Sequence, residues 1–181
     1  RLLTRRCVWL NVGRMNLKVT GTRADAILDW GARSARCAIG PGGIAHKQGE
    51  GDGVTPIGAF PIRRVLYRAD RIAPPQTALP LFAIAPDDGW CDAPDDPAYN
   101  RPVKLPYPAS AEQMWREDHL YDIVMVLGFN DDPVVPGKGS AIFLHLAKAD
   151  YAATAGCVAL ALPDMLAALA QLHPGDRIEI G

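Results

Sequence analysis

Proline and glycine divide this sequence into short segments. The 181 residues include 16 prolines and 17 glycines, and both residue types interrupt helices and mark turns. Between them lie short alternating runs typical of half-buried strands, such as Asn16 to Thr20 and Ala35 to Ile39. The pattern predicts eight or nine short strands with about two helices, in one mostly β domain of the α+β class. Because the pattern begins near Met15, residues 15–181 are expected to form this domain and residues 1–14 an extension outside it.

Apolar runs bounded by turn residues locate the other elements. A helix is expected from Ser110 to Asp118, where Ser110 and Gln113 match a capping box. A second helix is expected from Pro163 to Leu172, with proline in its first turn. Pro86 to Pro108 is rich in turn residues and is expected to be a long surface excursion. The remaining predicted strands are Thr55 to Tyr67, Leu81 to Ala85, Asp122 to Phe129, Ser140 to Leu146, Cys157 to Leu162 and Arg177 to Ile180.

Charge and hydropathy exclude several classes of protein. Nineteen Lys and Arg residues balance twenty Asp and Glu residues, which argues against nucleic-acid binding and against anchoring to anionic lipid. The longest apolar run, Ile123 to Phe129, is too short for a membrane span, and no signal-peptide pattern follows Arg5 and Arg6. Four cysteines without close pairs do not form a disulfide framework. Cys7 and Cys37 are therefore expected to be small buried apolar residues.

The segment from Ser140 to Leu162 contains the residues best suited to chemistry. An apolar strand ends near His145, and small residues lead through Gly156 and Cys157 into another strand. A cysteine attacks as the thiolate and needs a neighbouring base, and paired strands lie about 5 Å apart. Backbone amides at Gly156 and Cys157 would stabilise the oxyanion formed by attack on a carbonyl. The alternative is that Cys157 and His145 are ordinary buried residues.

Other groups of reactive side chains suggest further alternatives. Cys91 is a second possible nucleophile, although no histidine pairs with it in the sequence. Cys91, Cys157, His145 and His46 would be the ligands of a zinc site. The aspartates of one loop would be the ligands of a calcium ion; they are Asp87, Asp88, Asp92, Asp95 and Asp96. The Gly40 to Gly53 loop lacks the lysine and hydroxyl ending of a phosphate-binding loop. His46 and Lys47 of this loop are expected to be solvated surface residues, and the alternative is that they line a substrate groove.

Two separated motifs resemble those of the L,D-transpeptidase (YkuD-type) catalytic domain family. The family pattern of a strand histidine followed by Ser/Thr-x-Gly-Cys is matched by His145, Thr154, Gly156 and Cys157. A Thr-Pro-x-Gly-x-Phe motif is matched earlier in the chain by Thr55 to Phe60. The Gly89 to Asp92 run, with Tyr99 and Asn100, and the expected helix from Ser110 to Asp118 resemble a bacterial subgroup of that family.

The resemblance implies a β-sandwich or barrel that forms peptidoglycan cross-links without a metal or organic cofactor. Cys157 would be acylated by a stem peptide with release of the terminal D-Ala, His145 would be the base, and an acceptor amine would resolve the thioester. Residues implied in substrate binding are Thr55, Gly58, Trp90, Cys91, Tyr99 and Arg101. The substrate implies action at a bacterial cell wall outside the cytoplasm, or alternatively on recycled muropeptides inside it.

One departure from the family pattern affects specificity. Many members have Arg two residues after the nucleophile, where this chain has Ala159. Four cations are candidates to replace it, namely Arg63, Arg64, Arg101 and Lys138. Two other functions remain open: a hydrolase that uses the same acyl-enzyme, and a cell-wall-binding domain without catalytic activity.

Overall fold

The computed structural model describes residues 14–181 and contains fourteen strands and one α-helix in that range. The first seven strands are β1 (Asn16–Thr20), β2 (Ile27–Trp30), β3 (Arg33–Ala38), β4 (Ile44–Ala45), β5 (Thr55–Pro56), β6 (Gly58–Tyr67) and β7 (Leu81–Ala83). They are followed by β8 (Asp88–Cys91), β9 (Pro102–Lys104), β10 (Ala111–Gln113), β11 (Ile123–Leu127), β12 (Phe143–Leu146), β13 (Val158–Leu160), α1 (Leu162–Leu169) and β14 (Arg177–Ile180). The predicted extension and Cys7 lie in residues 1–13, outside the described residues.

Eight strands close into a barrel. Their order is β11, β12, β13, β3, β2, β1, β14 and β6, and β6 also pairs with β11, which completes the ring. Strand β7 extends the sheet by pairing in parallel with β6. The strands alternate as a barrel requires, because residues such as Leu17 and Val19 in β1 point inward while their neighbours point to solvent. The mostly β, α+β fold class is confirmed.

The central strand β11 is buried on both faces. Ile123 and Met125 pack into the barrel core, whereas Val124 and Val126 belong to a second apolar cluster outside it. A small sheet in the order β10, β8, β9 contributes Trp90 to this outer cluster. The continuous apolar run of β11 follows from this position between two cores.

Helix α1 confirms the predicted C-terminal helix, with proline in its first turn. It buries Met165, Ala168 and Leu169 in the barrel core and leaves Leu166 exposed. The helix ends at Leu169 rather than at Leu172, because Gln171 and Leu172 continue as a turn.

The helix predicted from Ser110 is wrong. Ala111 pairs with Cys91 and Glu112 with Trp90 in an antiparallel ladder, which the amide of Asp92 extends by donating to the Ser110 carbonyl. The capping box is a local signal, and the tertiary pairing of β10 with β8 overrides it. One α-helix therefore occurs in residues 14–181 where the sequence indicates about two.

The interpretation of Pro86 to Pro108 as a surface excursion is also wrong in part. The segment forms β8 and β9, and Trp90 and Tyr99 are buried. Proline is accommodated because Pro102 opens β9, an edge strand whose one partner within residues 14–181 is β8.

Candidate active site

Two adjacent parallel strands bring the predicted cysteine and histidine to one side of the barrel. His145 of β12 is paired with Ala159 of β13, and Cys157 immediately precedes β13. Leu144 and Val158, which are also paired, face the barrel core. Because side chains alternate along a strand, His145 and Cys157 both point away from the core. Both line one cavity with a volume of about 450 Å³.

His145 has the hydrogen bond expected of a general base. Its Nδ1 lies 2.9 Å from the Leu146 carbonyl oxygen, which can only accept, so Nδ1 carries the proton and Nε2 keeps its lone pair. The edge of the Tyr121 ring packs against the imidazole at a centroid distance of 5.3 Å. Burial lowers the pKa of His145 from 6.5 to about 4. The imidazole is therefore neutral at pH 7.

Cys157 is buried but lines the same cavity. Its Sγ lies 3.3 Å from the Ala141 carbonyl oxygen and 3.4 Å from the Phe143 amide nitrogen. Burial raises the pKa of the thiol to about 12, and the negative charge of Glu112 adds to the effect. The Phe143 amide and the Lys47 ammonium oppose this shift. The thiol is therefore protonated at rest, and attack requires transfer of its proton to a base.

Two threonines hold the backbone of Cys157. Thr154 Oγ1 donates to the Cys157 carbonyl at 2.6 Å and accepts from the Gly156 amide at 3.1 Å. Thr55 Oγ1 donates to the same carbonyl at 3.4 Å and accepts from the Gly40 amide at 2.8 Å. The Gly156 amide, expected to bind an oxyanion, is thus bonded to Thr154. The Cys157 amide is the other member of the predicted pair.

Gly156 allows the glycine-rich Gly40 to Gly53 loop to approach Cys157. Its φ of 132° is rarely adopted by residues with a side chain, and a Cβ there would lie 2.8 Å from the Val54 carbonyl oxygen. Lys47 Nζ would lie 3.8 Å from the same Cβ. Lys47 is thereby brought into the cavity, with only 5% of its side chain exposed.

Lys47 is held by a neighbouring aspartate. Its Nζ lies 2.5 Å from Asp52 Oδ1. Burial opposes ionisation of Asp52, but hydrogen bonds from Lys47 and from the amides of Val54, Gln48 and Gly49 outweigh it and lower the pKa to about 2. The ammonium of Lys47 is therefore fixed beside Gly156, the residue that precedes Cys157.

The residues expected to bind substrate do not line this cavity. Those residues are Thr55, Gly58, Trp90, Cys91, Tyr99 and Arg101. Thr55 and Cys91 are completely buried, and Gly58 pairs with Ile180. Trp90 and Tyr99 use their polar atoms within the protein, since Trp90 donates to Asn100 Oδ1 and the Tyr99 hydroxyl donates to Glu50. Arg101 donates to the Asp131 carbonyl near a separate, smaller pocket.

The charged residues that line the cavity differ from those expected. They are Lys47, Glu50, Asp92, Glu112, Arg116 and Lys148. None of the four cations proposed as substitutes for the missing Arg lines it. The sequence pointed to only part of this set, because its members lie on segments far apart in the chain. The glycine-rich loop offered His46 and Lys47 as possible lining residues, of which Lys47 lines the cavity and His46 does not. The aspartate-rich loop includes a second lining residue, Asp92.

The metal hypotheses find no support in the described part of the chain. Residues 14–181 contain no group of three or more His, Cys, Asp or Glu side chains placed to hold a metal ion. Asp87 and Asp88 of the aspartate-rich loop both bind Lys104. Within the same residues, no helix has the length and apolarity needed to cross a bilayer.

The fold and the cavity together define a class of protein: a mostly β barrel domain with a cysteine and a neutral histidine on the outer face of two parallel strands. The chain belongs to the L,D-transpeptidase catalytic domain (YkuD) family, whose sequence model matches residues 18–180. That family is generally enzymatic and acts on peptidoglycan. No curated protein and no solved structure matches the chain.

Proposed function

We propose that this protein is a cysteine-dependent acyltransferase that cross-links peptidoglycan stem peptides. The observation that carries the proposal is the position of Cys157 and His145, which reach one cavity from adjacent strands. The Leu146 carbonyl leaves Nε2 of His145 free to accept a proton. Family membership supports peptidoglycan as the substrate.

The first half-reaction forms an acyl-enzyme. His145 Nε2 takes the thiol proton of Cys157 as the sulfur attacks the carbonyl that precedes the terminal D-Ala. The Cys157 amide is the proposed donor to the resulting oxyanion. The C–N bond then breaks, and D-Ala leaves as the free amine after taking the proton from His145.

The second half-reaction transfers the acyl group. An amine of a neighbouring stem peptide attacks the thioester, so that a C–N bond forms and the C–S bond breaks. The thiol of Cys157 is regenerated. If water attacks instead, the same acyl-enzyme yields a hydrolase, and this outcome is distinguished by the products.

Lys47 is the proposed replacement for the cation that many family members have after the nucleophile. It lies beside Gly156, and its charge lowers the pKa of the Cys157 thiol. A fixed ammonium stabilises negative charge on the sulfur and on the oxyanion more effectively in a buried site than in water. The proposed site of action is the bacterial cell wall, outside the cytoplasm, where the substrate lies.

Intact-protein mass measurement after incubation with purified muropeptides tests the proposal. The wild type should gain the mass of a stem peptide lacking one D-Ala, and cross-linked dimers should accumulate. Cys157→Ala should give neither, whereas Cys91→Ala should behave as wild type because Cys91 lies outside the cavity. Adduct formation by folded Cys157→Ala would refute the assignment of the nucleophile.

The products separate the three candidate functions. Adducts with dimers support the transpeptidase, and adducts with only shortened monomers support the hydrolase. A folded wild-type protein that binds sacculi without an adduct would support a cell-wall-binding domain and refute the proposed function.

A further inference from the structure

Three arginines line a second, smaller pocket on the outer face of the barrel, which we call the arginine pocket: Arg63, Arg64 and Arg101. The pocket has a volume of about 110 Å³. It lies beside the cavity that holds Cys157, since Ile142 lines both. The sequence offered these three cations as substitutes for an arginine after the cysteine, and the structure groups them at a different place.

A β-bulge in β6 directs two consecutive arginines to this pocket. Ile62 and Val65 both face the barrel core, so two residues lie between them where regular alternation allows one. On β11 a single residue, Val126, lies opposite, and it is paired with Arg64. Because a bulge of two residues against one re-aims side chains, Arg63 and Arg64 line the same pocket instead of pointing to opposite faces.

Among the described residues, one carboxylate lines the pocket together with the three guanidinium groups. Both oxygens of this carboxylate, Asp131, accept from Arg63, at 2.8 and 3.0 Å. These hydrogen bonds, and after them the charges of Asp131 and Asp132, raise the pKa of Arg63 against the effect of burial. Arg101 reaches only the main-chain carbonyl of Asp131, at 2.8 Å. The acidic side chains thus act mainly on one arginine of the three.

Arg64 lines the pocket without a protein partner. Within residues 14–181 its side chain makes no hydrogen bond and no ion pair, and its Nε is buried. Its Nη1 and Nη2 are not buried, although the side chain as a whole is half-buried. These two nitrogens therefore keep their donors free. The planar fork that they form matches a carboxylate or a phosphate with two parallel hydrogen bonds.

We propose that the arginine pocket binds one oxyanion group, a carboxylate or a phosphate. Arg64 donates the two hydrogen bonds, and Arg101 adds a second positive charge. The bound group offsets the repulsion between guanidinium groups that are held close together in a partly buried site. The small volume admits a single such group, so the rest of the ligand lies outside the pocket.

The distance between the arginine pocket and Cys157 suits a group carried by the proposed substrate. Cys157, Phe143, Val126 and Arg64 follow one another across neighbouring strands from the start of β13 to β6. Three strand spacings of about 4.8 Å place the backbones of Cys157 and Arg64 roughly 14 Å apart. This is about the length of four extended residues. We therefore expect the oxyanion to be a carboxylate of the stem peptide, a step that rests on the proposed function.

Titration with simple anions tests the pocket without any chemistry at Cys157. The probes are inorganic phosphate and acetate, each added to the wild type at constant ionic strength and followed by calorimetry. At least one probe should bind saturably. Arg64→Gln should weaken this binding at least tenfold, because two charge-assisted hydrogen bonds are lost. Arg64→Lys, which keeps the charge without the fork, should also bind less tightly than the wild type.

Two further variants keep this test decisive. Arg101→Gln changes an exposed residue and should weaken binding about threefold, through the loss of a neighbouring charge, even if Arg64→Gln fails to fold. Arg33→Gln is the matched control, because Arg33 is an exposed arginine of β3 outside the pocket lining. It should bind as the wild type does. The proposal is overturned if neither probe binds the wild type, if folded Arg64→Gln binds normally, or if Arg33→Gln shows equal losses.

A second titration identifies the source of the oxyanion. Cys157→Ala, which cannot be acylated, is titrated with a tetrapeptide stem whose internal carboxylates are free and with the same peptide amidated at those carboxylates. Adding Arg64→Gln should weaken binding of the first peptide about tenfold and leave binding of the second unchanged. Equal effects on both peptides would refute the stem peptide as the source. If the wild type forms no acyl-enzyme, the proposed function fails, and the phosphate and acetate titrations still decide whether the arginine pocket binds an oxyanion.

Discussion

The two faces of the β12–β13 strand pair differ in composition and in role. The inner face presents Leu144, Val158 and Leu160 to the barrel core, all fully buried. The outer face presents His145 and Cys157 to the cavity. The residues that stabilise the barrel and the residues of the proposed chemistry thus alternate along the same two strands. Substitutions on the two faces should therefore have separable effects.

The largest expected effect comes from a substitution on the outer face, and it concerns the rate of acylation. His145→Gln should lower the rate of acylation of Cys157 by about 10²–10⁴-fold, because a positioned base contributes about that much. Mass measurement of the adduct over time gives the rate. His119→Gln is the control, since His119 contacts the Ala147 carbonyl outside the cavity lining. Near-normal acylation in His145→Gln would show that His145 is not the base.

Leu160→Ala, a substitution on the inner face, should lower the stability of the fold. Truncation of a fully buried leucine lowers the free energy of unfolding by about 2–5 kcal/mol. Urea denaturation measures this loss, and acylation of Cys157 in the protein that remains folded should stay near the wild-type rate. Leu166→Ala is a matched control, because Leu166 is 40% exposed. A folded Leu160→Ala variant that has lost acylation would contradict the separation of the two faces.

Protonation of His145 makes the stability of the fold depend on pH. The pKa of His145 is about 4 in the folded protein, compared with 6.5 when unperturbed. The unfolded chain therefore binds more protons between these values, and acidification through this window favours unfolding by up to about 3 kcal/mol. His145→Gln should lose less stability than the wild type between pH 6.5 and pH 4 in urea denaturation. If the free energy of unfolding changes equally with pH in both proteins, burial does not lower the pKa of His145.

The smallest expected effect concerns the thiol. Lys47→Met should slow alkylation of Cys157 by iodoacetamide at pH 9 by about threefold to tenfold, because loss of the positive charge raises the thiol pKa further above 9. Alkylation is followed by mass measurement at Cys157. Lys18→Met, on the exposed side of β1, should react as the wild type does. Faster alkylation of Lys47→Met would show that the ammonium obstructs the sulfur rather than stabilising its charge.

The site was predictable where its residues are close in sequence. His145 and Cys157 flank one connection between two apolar runs, so the sequence alone placed them on neighbouring strands. The opposite wall of the cavity was harder to predict, because Lys47 and Glu112 come from distant segments and reach the cavity through tertiary packing. The sequence left Lys47 as either a surface residue or a lining residue, and it gave no indication that Glu112 lines a cavity. Glu112 was expected on a helix, and only the pairing of β10 with β8 puts it in a strand.

Motif matches predicted residues that lie near Cys157 and His145, but not what those residues contact. Thr55 lies in a family motif, but its hydroxyl joins the Gly40 amide to the Cys157 carbonyl instead of reaching the cavity. Trp90 is similar, since it packs on Phe143 beneath the site and donates to Asn100. A sequence pattern does not distinguish a residue that supports a site from one that contacts its ligand.

The parallel pairing of β12 with β13 makes the site tolerant of some insertions and intolerant of others. Additional residues between Ala147 and Ala153 would lengthen a connection without changing which faces the two strands present. One residue inserted within β12 would instead turn the imidazole of His145 into the barrel and a leucine toward the cavity. Variation in loop length can therefore remodel what the cavity accepts, while the strand register preserves the chemistry.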